Sequence, residues 1–207
     1  MKFTPEDTQT LEDILTWRRD TRHFRTDPIP PETFEMLQDA FERAPSVGNA
    51  RPWRVLRIQS PERRAAIREE FLRCNSEAAD SYDPATRVEY LKLKLAGLDN
   101  APEQLAVFTA VDPEAGRRLG RRTMPETLQQ STAMAIFAMW LTARSLNLGV
   151  GMLSILDPDR VTKIVDAPEN WVFTAYLCIG YPEFEDDTPL LHRKGWQENT
   201  RREWDFR

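Results

Sequence analysis

The chain has 207 residues, 41% of them hydrophobic and 10% aromatic, enough to bury one sizeable core in a single domain spanning residues 1–207. Its formal net charge of -5 and pI near 5.3 exclude a general nucleic-acid binder, because gripping a phosphate backbone needs a broad basic field. Cys74 and Cys178 lie far apart and form no CxxC pair, which excludes a disulfide framework and a thiolate zinc site and leaves two small buried thiols.

The amino-terminal stretch MKFTPEDTQTLEDIL is acidic and holds no apolar signal core, which predicts a cytoplasmic protein. Leu11, Ile14 and Leu15 lie at helical spacing and predict a helix over Thr8 to Arg19. It runs into WRRDTRHF, where Arg18, Arg19 and Arg22 surround one acid, Asp20. Arginines suit the negative end of a helix dipole, so a solvated helix end explains the cluster as readily as an anion site does. A second helix starts at Pro30-Pro31 and turns Phe34, Leu37 and Phe41 inward.

RAPSVGNARPW then reads as a loop leading into a strand over Trp53 to Ile58. Helical patterns follow over 61–80 and 85–98, separated by a turn at Asp83-Pro84. LAVFTAV, Leu105 to Val111, is an inner strand. Thr123 to Leu148 reads as the longest helix. Its uncharged centre TAMAIFAMWLTA is too short to span a bilayer and suits a helix buried in a core or between subunits, so no membrane is implied. Two strands, GVGMLSIL and WVFTAYLCIG, flank a short helix at Pro158 to Val165. Residues 182–207 are charged and aromatic without periodicity and read as an arm, with Trp196, Trp204 and Phe206 along it.

Several chemistries drop out. His23 and His192 stand in unrelated contexts, so no metal site is expected. No GxSxG elbow and no Walker A motif occurs, and Gly149-Val150-Gly151 follows a helix where a dinucleotide fingerprint follows a strand. The arginines, the loop Ser46 to Trp53 and the run Gly149 to Ser154 make joint sense for a phosphorylated flat ring, with forked donors for phosphate and glycine loops at a ring edge.

RRDTRHF followed by APSVGNARPWR resembles the opening motifs of the nitroreductase-like flavoproteins. Asp20 at the third position of the first motif narrows the resemblance to the BluB-type 5,6-dimethylbenzimidazole synthase branch. LKLKLAGLDNAP, GRRLGRRTMPET, LGVGMLSILDP, YLCIGYP and a late GWQ, in family order, support the same branch. The resemblance implies an α+β fold with a central mixed sheet flanked by helices, in a homodimer with exchanged terminal segments and FMN at the interface. It implies that reduced FMN, supplied by a separate NAD(P)H flavin reductase, is fragmented with dioxygen to 5,6-dimethylbenzimidazole, the lower ligand of cobalamin, and erythrose 4-phosphate.

By the same resemblance Asp20 and Ser154 carry the chemistry, with Asp20 relaying protons and Ser154 donating a hydrogen bond at the flavin face. Arg18, Arg19, Thr21 and Arg22 join Asp20 in holding the cofactor, together with Ser46, Gly48, Asn49, Leu98, Gly151 and Ser154. Arg193 and Arg201 are candidates for a second phosphate clamp, and a lid is drawn from about residues 75–100. Arg51 departs from the family's usual glutamine. Plain structural readings stand beside these: an Arg-Asp surface pair, an ordinary turn at Pro45 and Gly48, a helix cap and bulge at Gly149 and Gly151, and a core leucine at Leu98. An FMN-dependent NAD(P)H nitro or quinone reductase and a non-catalytic FMN-binding protein share most of these residues.

Overall fold

The computed structural model describes residues 1–93 and 97–207. Helix α1 (Pro5–Trp17) starts and stops earlier than its apolar spacing predicts. Thr4 and Asp7 form a reciprocal capping box, Pro5 occupies the first turn, and Arg18 leaves the helix in an extended conformation. None of its residues is buried, so Leu11, Leu15 and Trp17 keep an apolar face on the surface. Helix α2 (Pro31–Glu42) buries Phe34, Leu37, Ala40 and Phe41, one stripe at helical spacing.

Strand β1 (Trp53–Arg57) precedes α3 (Pro61–Asp80) and α4 (Pro84–Lys92), the latter capped by Asp83, whose side chain accepts the Ala85 and Thr86 amides. The helix expected over 85–98 ends at Lys92, where Leu93 turns extended. Residues 94–96, which fall within that expectation and within the expected lid, lie outside the described residues.

Strand β2 (Glu103–Ala110) is buried along its whole length. Helix α5 (Thr127–Ser145) has 19 residues, one fewer than α3, so it is not the longest. Pro125 disfavours helical geometry in the residue before it, and the chain turns at 123–126 before the helix begins. Strand β3 (Gly149–Leu153), helix α6 (Pro158–Ile164), strand β4 (Trp171–Gly180) and a four-residue helix α7 (Leu190–Arg193) complete the order.

The sheet runs β1-β2-β4-β3, and every pairing among the four strands is antiparallel. The mixed character expected of it is confined to one parallel bridge, between Asp20 and Val150 on edge strand β3. Both faces are covered. Leu105, Val107, Ala175 and Leu177 face α2 and α5, whereas Ala106, Phe108, Tyr176 and Cys178 face α3 and α6. The result is a three-layer α+β domain, with β3 and the end of α1 meeting at one edge.

Candidate functional site

Each arginine of the first cluster has its own partner. The Arg18 guanidinium stacks 5.0 Å from the Trp140 ring centre and 5.9 Å from that of Phe137, and this burial pulls its pKa down, with Arg19 adding to the effect and Asp20 opposing it. Arg19 donates to the carbonyls of Leu15 and Thr16 and closes the end of α1. Arg22 donates to Asp20 Oδ2 at 2.9 Å.

The other oxygen of Asp20 accepts the Met152 amide at 3.0 Å, and the Thr21 amide donates to the Val150 carbonyl at the same distance. Thus the segment after α1 satisfies edge groups of β3 that would otherwise face solvent. Gly149 and Gly151 are small for this reason. A Cβ on Gly149 would overlap the Thr21 side chain, and one on Gly151 would overlap the Thr21 carbonyl. Thr21 makes the close approach at both glycines, with its side chain at Gly149 and its carbonyl at Gly151. Ser154 follows the end of β3 and is exposed, two residues beyond Met152.

Arg18, Arg19, Asp20, Thr21 and Arg22 line one cavity of about 90 Å³, closed on its other sides by Trp140, Arg144 and Gly149 and by Glu185, Asp186 and Thr188 of the arm. Arg144 was not singled out from the sequence. Only its spacing one turn beyond Trp140 could have marked it, since i and i+4 share a helix face.

The second motif lies elsewhere. Ser46 accepts the Arg51 amide with its hydroxyl, and Val47 donates to Ser131 Oγ near the start of α5. Gly48 has φ +55, and a Cβ there would press on the carbonyls of Gly116 and Leu119. Its left-handed turn is therefore demanded by packing. Asn49 follows with φ +54, and neither Ser46, Gly48 nor Asn49 lines the arginine cavity. Arg51, the departure from the usual glutamine, pairs with Glu42 at 3.3 Å.

Leu98 is buried in the same hydrophobic cluster as Phe24 and Tyr176, while its carbonyl accepts from buried Gln104. Arg193 pairs with Asp186 and Asp187 and does not line the cavity, and neither does exposed Arg201. Among the described residues, no group of three or more His, Cys, Asp and Glu side chains is placed to hold a metal. No described helix is long and apolar enough to cross a membrane.

A family model described as the nitroreductase family matches residues 15–181, from α1 through the end of β4. The chain belongs to the nitroreductase family. It is 54% identical over 207 residues to a 5,6-dimethylbenzimidazole synthase of Rhodobacter capsulatus, covering the whole of both chains. A protein of the same name from Rhodospirillum rubrum is 48% identical, over 94% of this chain and 92% of that one. The nitroreductase-like fold also appears in the structural neighbours. Oxidized iodotyrosine deiodinase bound to FMN and 3-iodo-L-tyrosine superimposes with a TM-score of 0.74 at 21% identity, over 95% of this chain and 97% of that one. An FMN-bound nitroreductase from Desulfitobacterium hafniense superimposes with a TM-score of 0.63 at 16% identity, over 84% and 90% of the two chains.

Proposed function

We propose that this nitroreductase-family chain is a 5,6-dimethylbenzimidazole synthase, fragmenting FMN hydroquinone with dioxygen to 5,6-dimethylbenzimidazole and erythrose 4-phosphate. The observation that carries the reading is Asp20. Its carboxylate lies among the arginines of the cavity, is fixed on β3 by the Met152 amide two residues before Ser154, and supplies a proton acceptor that phosphate binding does not itself require. Full-length identity of 48–54% to relatives bearing the synthase name supports the same activity.

The donor set fits FMN. Forked guanidiniums at Arg18 and Arg22 suit its phosphate, and Trp140 backs the array with a flat apolar wall. Reduced FMN, when bound, supplies both the electrons taken by dioxygen and the carbon skeleton of the product. Asp20 keeps Oδ1 on the Met152 amide. Its Oδ2, now facing Arg22, is the atom that accepts and returns protons when Arg22 turns toward the phosphate. Ser154 donates its hydroxyl hydrogen to charge developing on the ring.

One chain supplies only part of this site, because its cavity of about 90 Å³ falls short of the roughly 300–1,000 Å³ that small-molecule pockets occupy. The loop Ser46 to Asn49 sits near Ser131, about 20 Å along α5 from Arg144. Between these ends α5 exposes Met134 and Phe137, 43% and 44% accessible. Two copies with α5 crossing head to tail near Phe137 would set the Ser46 loop of one against the arginines of the other. That pairing would also cover the apolar faces of α1 and α5. The functional unit is accordingly a homodimer, while the arm from Pro182 packs on its own chain through Glu185 on Arg144 and Trp196 on Tyr82 and Tyr90.

Because the flavin is consumed rather than recycled, it is supplied already reduced by a separate NAD(P)H flavin reductase. Incubation of the purified protein with FMN, NAD(P)H and a quinone tests this division of labour. Negligible nicotinamide oxidation is expected, whereas steady consumption would make the chain an ordinary reductase.

A further inference from the structure

Arg144 and Glu185 make an ion pair at 2.8 Å inside the arginine cavity, joining the last turn of α5 to the arm. The Arg144 side chain is 15% exposed and that of Glu185 51%. One turn before Arg144, Trp140 carries the stacked Arg18 guanidinium, so Arg18 and Arg144 converge on the same opening. Beyond Glu185 the arm is a compact knot. Arg193 pairs with Asp186 and Asp187, the Trp196 and Gln197 amides donate to the Leu191 carbonyl, and the Asn199 amide donates to His192 Nδ1. Gly195, at φ +71, turns the chain so that Trp196 packs on Tyr82 and Tyr90, with ring centres 5.8 and 6.3 Å away. The arm thus touches the cavity at one end and the α3–α4 turn at the other.

We propose that Arg144 is a further phosphate-binding residue and that Glu185 is its resident competitor, an internal carboxylate that an incoming phosphate monoester displaces. A half-exposed carboxylate holds a guanidinium weakly, while a phosphate dianion offers more charge and three acceptor oxygens. Exchange of partners at Arg144 removes the ion pair between α5 and the arm. The inference rests on the reading of the cavity as the FMN phosphate site.

Its test is calorimetric binding of oxidised FMN and of riboflavin, which lacks the phosphate, with no turnover required. Glu185→Gln is expected to bind FMN about two- to fivefold more tightly, the range an exposed ion pair contributes, and riboflavin unchanged. Arg144→Gln should weaken FMN about tenfold or more, as for loss of a charge-assisted hydrogen bond, and in that background Glu185→Gln should have no effect. Glu183→Gln, an equal charge change nearby on the arm, should leave FMN affinity as it was. A wild-type preference for FMN with no gain in Glu185→Gln, or an equal gain in Glu183→Gln, overturns the inference alone. Equal wild-type affinity for FMN and riboflavin overturns the phosphate reading and this inference with it.

Discussion

Asp20 Oδ1 accepts the backbone amide of Met152 at 3.0 Å, so a side chain from the end of α1 completes the hydrogen bonding of an edge strand. The bond fixes one carboxylate oxygen and turns the other toward Arg22. Asp20→Asn keeps an acceptor for Met152 and removes the proton-accepting charge. Binding of FMN should stay within about twofold while benzimidazole formation falls about 100-fold or more, the usual contribution of a positioned acid or base. Undiminished product would remove Asp20 from the chemistry.

Gly151 should not tolerate a side chain. A Cβ there overlaps the Thr21 carbonyl, and relief requires the segment 20–21 to move off β3. Gly151→Ala is expected to lower stability by about 1–3 kcal/mol, the cost typical of overpacking, and to weaken FMN binding because the arginines ride on the same segment. Denaturant unfolding and FMN titration measure the two effects, and a variant that matches the wild type in both would contradict the packing assigned here.

Two broken chains should repair one another. If Arg22 and the Asn49 loop serve one site from different subunits, Arg22→Ala and Asn49→Ala homodimers are both impaired. Random mixing of the two should restore about a quarter of wild-type activity, since half the dimers are mixed and each of these has one intact site. No recovery after subunit exchange would place both residues in the same chain's site. Phe137→Asp should yield monomers by light scattering, through the charge it puts at the centre of the proposed seam.

Far from the cavity, Glu70 joins α3 to α6. It is 4% exposed and accepts from Arg73 at 2.5 Å, Cys74 Sγ at 3.1 Å and Arg160 at 3.2 Å. The hydrogen bonds from Arg73, then Cys74 and Arg160, outweigh burial and hold its pKa near 2, below the ordinary 4.5. A depressed carboxylate pKa stabilises the fold above the unfolded value, and that stabilisation is lost as pH falls from about 4.5 toward 2. Glu70→Gln should therefore cost about 1–3 kcal/mol at pH 6, and the difference from wild type should shrink on acidification through that window. A difference that is constant with pH would deny the ion pairs their role.

The sequence carried the family and most element positions, because apolar spacing and prolines are local signals. Phe34, Leu37 and Phe41 mark α2 by themselves, and Asp83-Pro84 marks the turn before α4. What stayed hidden depends on distant chain. Arg144 reaches the cavity only because α5 packs behind α1, and Gly151 is explained only by Thr21, which is 130 positions away. The arginines look equivalent as letters, yet Arg19 caps its own helix while Arg18 stacks on Trp140. The Ser46 loop matched a flavin motif, but within one chain it sits at the opposite end of α5, a separation visible only in three dimensions.

The most direct measurement mixes the protein with anaerobically reduced FMN, admits dioxygen, and follows the small molecules by liquid chromatography with mass detection. 5,6-Dimethylbenzimidazole is expected in stoichiometric yield together with erythrose 4-phosphate. Intact, reoxidised FMN as the sole product would contradict this and make the chain a reductase or flavin carrier whose Asp20 has no chemical role.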